Sequence, residues 1–227
     1  MTHEFLQQWW RLTRHGLRVE CAEPQRWLSS LLFAITILFL FSFAMGDIPS
    51  ELKLQIVLSE LFLCCFLVLQ LVHQRVLATE EEDRAVDILV ASPISYAALY
   101  LAKLSLAVVL CCAIILPFLG FMQILHGFGL FNLGLLAIAG LVILALSALG
   151  ILLAQMTQKA TGRDLLFPLL YFPLSVPVLL AAVQASFCYS QISSAGAFDL
   201  WLGLLGGFCI IYLTLGILLF EELVGLD

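Results

Sequence analysis

The sequence predicts an all-α integral membrane protein with six transmembrane helices, and three observations carry that prediction. Of the 227 residues, 63% are hydrophobic and only 11% are charged, with a mean hydropathy of +1.09. A soluble domain carries about 25% charged residues, and no soluble fold could cover this much apolar surface. The apolar residues also fall into blocks of about 20, the length a helix needs to cross a hydrocarbon core about 30 Å thick. Finally, the alternation expected of a membrane β-barrel is absent. That leaves helices as the element that satisfies its own backbone in lipid.

The blocks cover residues 27–45, 52–73, 96–122, 130–155, 165–187 and 200–220. Almost nothing lies outside them, so no aqueous stretch can house a nucleotide-binding domain, and residues 1–227 read as one permease domain. The first block does not read as a cleavable signal. An N-terminal stretch of more than twenty residues precedes it, and no small-x-small cleavage site follows.

That stretch, residues 1–25, reads as an interfacial amphipathic helix. Gln7, Arg11, Arg14 and Arg18 share one helical face, with Phe5, Leu6, Trp9, Trp10, Leu12 and Leu17 on the other. A basic stripe opposite Trp, Phe and Leu fits the headgroup region of a bilayer. Pro24 then ends the helix.

Lys and Arg orient the chain. Of its ten, Arg11, Arg14, Arg18 and Arg26 precede the first span, and Arg75, Arg84 and Lys103 lie in or beside the second-to-third connection. Lys159 and Arg163 occupy the fourth-to-fifth connection, and only Lys53 belongs to the opposite side. Six spans with both termini in the cytoplasm satisfy this bias. The net charge of −6 says nothing about partners, because acidic residues hardly affect topology.

The second-to-third connection, residues 76–95, holds five of the sixteen acidic residues. Thr79 followed by Glu80, Glu81, Glu82 and Asp83 fits the start of a helix, where a hydroxyl caps free N–H groups and carboxylates meet the positive dipole end. Arg84 and Asp87 continue the charged side. Val86, Leu89 and Val90 make an apolar face, and Pro93 stops the helix. A solvated loop needs no apolar face, whereas a docking helix needs both faces.

The fifth span carries Pro168, Pro173 and Pro177 within ten residues. Each removes a backbone donor, and freed carbonyls are tolerated at membrane depth where they face protein or a water-filled cavity. The pattern predicts a bent or broken helix, a candidate for pathway lining or gating.

No catalytic set is present. H-E-x-x-H, G-x-S-x-G and the phosphate-binding G-x-x-x-x-G-K-[ST] are all missing, so any ATP must be hydrolysed on another chain. The seven cysteines show no C-x-x-C spacing and read as small apolar fillers. Gly203–Gly207 reads as close helix packing. Glu60 is the sole acid well inside a span, about nine residues and roughly 13 Å into the second. It is a candidate for pathway lining or proton coupling, or a protonated structural residue. Gln70 and His73, lower on that span, mark its cytoplasmic end. His126, near the outer end of the third span, is a weak candidate for an axial haem ligand. No metal site is predicted, and no partner is a nucleic acid.

The acidic connection, the run from Ser92-Pro93 to Leu101-Ala102-Lys103 and the Pro173-Leu174-x-x-Pro177 helix together resemble the haem exporter protein B family. These are the permease subunits of the ABC complex for cytochrome c-type biogenesis in bacteria. The resemblance extends over nearly the whole chain, although the run Glu80–Asp83 is richer in acids than the family's usual pattern. It implies an ABC-2 exporter-like fold in the bacterial inner membrane. It also implies a cytoplasmic ATPase subunit docked on the second-to-third connection, which holds the ATP. Further implied partners are a haem-handling membrane protein with a tryptophan-rich motif, a small accessory membrane subunit and, indirectly, a periplasmic haem chaperone. Haem is then a substrate of the complex, and this chain binds no cofactor of its own.

Three other readings fit the composition. One is an ABC-2 permease for a lipid, drug or polysaccharide. The second is a secondary transporter coupling protons through Glu60, and the third is a scaffold that transports nothing. Co-purification with an ATPase separates the first from the others, and selective loss of c-type cytochromes on deletion marks the haem pathway. The topology has its own test. On a cysteine-free background, a cysteine at position 82 should be labelled from the cytoplasmic side only. Labelling from outside would overturn the six-span arrangement.

Overall fold

Lipid tails are as apolar as leucine, so helices in a membrane associate through close packing and interhelical hydrogen bonds. The computed structural model describes residues 2–22, 24–45, 49–83, 95–127, 129, 132–157, 162–191 and 195–225. Among them the regular structure is entirely helical. In order the helices are α1 (Thr2–Ala22), α2 (Pro24–Met45), α3 (Ser50–Asp83), α4 (Tyr96–His126), α5 (Leu133–Thr157), α6 (Arg163–Gln191) and α7 (Ala195–Gly225).

Among the described residues five helices, α3 to α7, are long and apolar enough to cross a membrane. Helix α2 (Pro24–Met45) holds an apolar run of Leu28–Ala44 among the described residues. Some boundaries differ from expectation. Helix α3 runs unbroken through Thr79 to Asp83, so Thr79 lies inside a helix and does not start one. The segment Leu77-Ala-Thr-Glu-Glu-Glu holds neither Gly nor Pro and mostly good helix formers. Helix α6 likewise passes its three prolines without a break.

Helix α5 is the centre of the bundle, touching α3, α4, α6 and α7. Every residue from 145 to 154 is buried. Small side chains there (Ala145, Ser147, Ala148, Gly150, Ala154) let neighbours approach closely, and three contacts show how.

The His73 ring of α3 lies over Gly150 of α5, where a Cβ would collide with the imidazole. The Tyr189 ring of α6 covers Gly134 of α5 in the same way, and Tyr100 of α4 covers Gly216 of α7. By contrast, a Cβ at Gly203, Gly206 or Gly207 would meet nothing within 4 Å. The glycine-rich stretch of α7 is therefore not a close helix contact within this chain. A run of glycines permits close approach but does not create it, and here no ring is aimed at them.

The buried tyrosines also hydrogen-bond across helices. Tyr100 Oη donates to the Ala148 carbonyl at 3.4 Å, and Tyr171 Oη donates to the Leu146 carbonyl at 3.3 Å. Tyr212 Oη donates to the Leu174 carbonyl at 2.8 Å. Each ring supplies apolar area while its hydroxyl finds an acceptor.

The packing predicts a contrast between glycines. Gly216→Ala forces Tyr100, which is fully buried, out of its seat and should cost about 1–3 kcal/mol. Gly203→Ala meets open space and replaces a poor helix former, so it should be neutral or slightly stabilising. Thermal unfolding of the solubilised protein measures both. Equal melting temperatures for the two variants would contradict the ring-on-glycine contact.

Candidate functional site

Two regions carry the polar chemistry, at opposite ends of the bundle. The first joins α3 to α4. Gly127 adopts φ +73°, a left-handed cap whose N–H donates to the Gln123 carbonyl at 3.0 Å, and it ends α4 at His126. Helix α3 extends about ten residues beyond Glu60, back to Ser50. Glu60 therefore lies level with the end of α4.

Glu60 Oε2 stands 3.4 Å from His126 Nε2, with the two side chains 1% and 6% exposed. Neither carboxyl oxygen, nor Nε2, nor the nearby Gln123 Oε1 has a hydrogen-bond partner among the described residues. An isolated charge here would be expensive. The pair is electroneutral when it holds one proton between carboxyl and imidazole. The nitrogen that an axial ligand would use is turned onto Glu60. Gln123 went unnoticed in the sequence, although its i, i+3 spacing from His126 places both on one face.

Among the proline candidates, Pro168 and Pro177 are half-buried and Pro173 is exposed. Leu174, whose carbonyl accepts from Tyr212, lies in the turn that precedes Pro177. The carbonyl that Pro177 deprives of its helical donor is that of Pro173, and Tyr212 adds an interhelical donor at the neighbouring Leu174.

His73 lies at the end of the apolar span Leu52–Gln74. It is 2% exposed, covered by protein and enclosed by Gly150, by Tyr171 with ring centroids 5.8 Å apart, and by Phe167 at 6.3 Å. Neither ring nitrogen makes a hydrogen bond of good geometry among the described residues, although the backbone of Leu69 and Ser147 lies close to the ring. All seven cysteines are free. No group of three metal-ligating side chains forms among the described residues.

The second region is the basic end, where α4 begins. Glu80, Glu81, Glu82 and Asp83 form the last turn of α3. Arg84, Val86, Asp87, Leu89, Val90 and Pro93 lie outside the described residues.

Immediately beyond them, the first turns of α4 touch three other helices. Trp9 Nε1 of α1 donates to the Leu101 carbonyl at 3.2 Å, and the Thr13 and Ser105 hydroxyls are 2.9 Å apart. Lys103 Nζ reaches Gln155 Oε1 of α5 at 3.5 Å and lies 5.4 Å from the Phe220 ring centroid of α7. Tyr100 packs on Phe220 with ring centroids 5.4 Å apart. Sequence reasoning used Lys103 for topology and in the run that carries the family resemblance, and nothing in its spacing announces partners on two distant helices.

The family model described as CcmB protein matches residues 7–222. No curated protein matches the chain.

The Glu60–His126 pair yields a prediction. Glu60→Gln keeps the size and neutrality of the site, so assembly and function should persist. Glu60→Lys buries an uncompensated cation beside His126 and should abolish accumulation of the protein. Complementation by each variant, alongside membrane abundance, checks this. A Glu60→Gln protein that assembles normally yet is inactive would overturn the structural reading and favour proton coupling.

Proposed function

The chain belongs to the CcmB protein family, and from that membership we propose that it is the six-span membrane subunit of an ATP-driven complex whose ATPase is a separate chain. The family is that of the haem exporter permeases of cytochrome c-type biogenesis, which makes this a multi-pass membrane transport subunit of that pathway. The match over residues 7–222 carries the proposal. In this reading α2 crosses as the sixth span, since 17 residues is the lower limit for a crossing. Both termini and the basic end then face the cytoplasm of the inner membrane.

Residues 76–95 serve as the ATPase dock. Glu80, Glu81, Glu82, Asp83 and Asp87 orient a basic cleft on the partner, and charges of this kind govern orientation and association rate more than affinity. Val86, Leu89 and Val90 supply the buried anchors that dominate such contacts. Pro93 sets the end of the element.

The geometry of α4 supports this assignment. The dock is continuous in the chain with Ser95 and the first turn of α4. Displacing that turn must move Tyr100 against Gly216, Lys103 against Gln155, and Leu101 against Trp9. A push at the dock is thereby delivered to α7, α5 and α1 together. Pro168, Pro173 and Pro177 are the gating candidates on α6, whose Leu174 carbonyl is tied to α7 by Tyr212. The haem-handling membrane protein, the small accessory subunit and the periplasmic chaperone complete the partners. Haem is substrate of the assembly, and ATP binds the partner subunit.

The test is retention of the ATPase by solubilised permease, read with c-type cytochrome levels. Leu89→Asp would bury an unpaired carboxylate at the contact and cost roughly 3 kcal/mol or more, so the ATPase should be lost and c-type cytochromes should fall. Reversal of Glu81 and Glu82 to Lys should weaken assembly in a salt-dependent way. A Leu89→Asp permease that keeps its full complement of ATPase would refute the dock.

A further inference from the structure

Helix α1 has three sides, and the structure accounts for only one of them. The docked side carries Trp9, Thr13 and Gly16. Trp9 and Thr13 hydrogen-bond to Leu101 and Ser105 of α4, and Gly16 lies so near Leu106 that a Cβ would sit 2.8 Å from its Cδ2. Glu20 of the same helix is also buried, 7% exposed.

The opposite side exposes Arg11, Arg14 and Arg18. Their spacing of three and four residues aligns them over about 10 Å of helix. None has a carboxylate partner among the described residues. Between these two sides runs an apolar edge, with Leu6 57% and Trp10 58% exposed. The sequence placed both residues on one apolar face with Trp9, but the structure turns them away from α4 and sets Trp10 one turn before Arg14.

The contacts with α4 fix where this surface lies. They ascend together along both helices, from Trp9–Leu101 through Thr13–Ser105 to Gly16–Leu106, so Arg11 stands near the level of Lys103, Arg14 near Ser105 and Arg18 beyond Leu106, all along the first half of α4. Lys103 belongs to the same level, where an apolar span gives way to charge. An exposed tryptophan beside arginines that have no carboxylate partner among the described residues fits the edge of a bilayer at such a boundary, with the ring among acyl chains and the guanidiniums among phosphates. Arg pairs with phosphate through two parallel N–H donors.

We infer that the Arg11–Arg14–Arg18 face of α1, with its Trp10 edge, is a binding surface for anionic lipid headgroups in the leaflet at the basic end. Lipid held there braces α1 against the first turns of α4. The site depends on neither ATP nor haem, so it stands or falls separately from the transport reading.

The test uses the full chain reconstituted in phosphatidylcholine bilayers. These contain equal minor fractions of either brominated phosphatidylglycerol or brominated phosphatidylcholine. Bromine quenches nearby tryptophan, and subtracting Trp10→Phe isolates the Trp10 signal. The brominated anionic lipid should quench Trp10 more strongly, its relative association rising about fivefold for each arginine engaged. The preference should shrink as salt cuts the screening length from about 10 Å at 0.1 M to about 3 Å at 1 M. It should vanish in the triple variant Arg11→Gln, Arg14→Gln, Arg18→Gln, which leaves the α4 seam intact.

Equal quenching by the two lipids in the unmodified protein overturns the site. So does a preference that survives the triple substitution. If the stripe instead serves an acidic protein surface, the triple variant will lose its ATPase while the unmodified protein shows no lipid preference, and that result also rejects the proposal.

Discussion

The structure depends on the contact between a ring and a bare Cα. Within lipid, burying one more leucine against another gains little, so helix pairs must find close approach and polar partners. Here His73, Tyr189 and Tyr100 rest on Gly150, Gly134 and Gly216. Each contact joins a different pair of helices. Tyrosine adds a second function, because its hydroxyl extends past the close contact to an acceptor on the far side. Tyr100 sits on α7 and donates to α5. Tyr189 sits on Gly134 and donates at 2.8 Å to Asn132 Oδ1, the same oxygen that caps α5 by accepting the Gly134 N–H at 3.2 Å. One side chain thus fixes both distance and register.

Much of the architecture was legible in the sequence, for a physical reason. Membrane depth imposes length and apolarity on each helix separately, and both are local properties. The blocks starting near residues 52, 96, 130, 165 and 200 correspond to α3, α4, α5, α6 and α7. Pairing is not local. Nothing near His73 points to Gly150, and nothing near Gly203 says that no ring will cover it. Glu60 stood out because a carboxyl in an apolar block is rare. Its partner could not be read, because placing His126 beside it requires knowing how far α3 extends beyond the end of α4. The continuation of α3 past Thr79 was missed for a simpler reason. A threonine followed by acids is a sound start signal, but four residues of helix-forming sequence allow an existing helix to continue through it.

The two ends of the bundle use polar groups differently. At the basic end the polar side chains have long reach. Lys103 and Trp9 extend to groups on other helices and can follow them through a displacement. At the other end Glu60 and His126 are buried against each other, with polar atoms of Glu60, Gln123 and His126 unsatisfied among the described residues, so they tolerate little rearrangement. This contrast puts compliance next to the proposed dock and stiffness at the far end of the same helix, α4. A helix held loosely at one end and firmly at the other tends to pivot more than slide.

The Glu60–His126 pair also bears on how the protein is made. It links α3 to the next helix in the chain, not to a distant one. Until α4 emerges from the ribosome, the carboxyl on α3 has no imidazole beside it, and a carboxyl facing acyl chains is disfavoured. A cotranslational pathway consistent with this releases α3 and α4 together as a helical hairpin. The later helices, with their glycine seats, then assemble on a template whose one awkward group has already been answered.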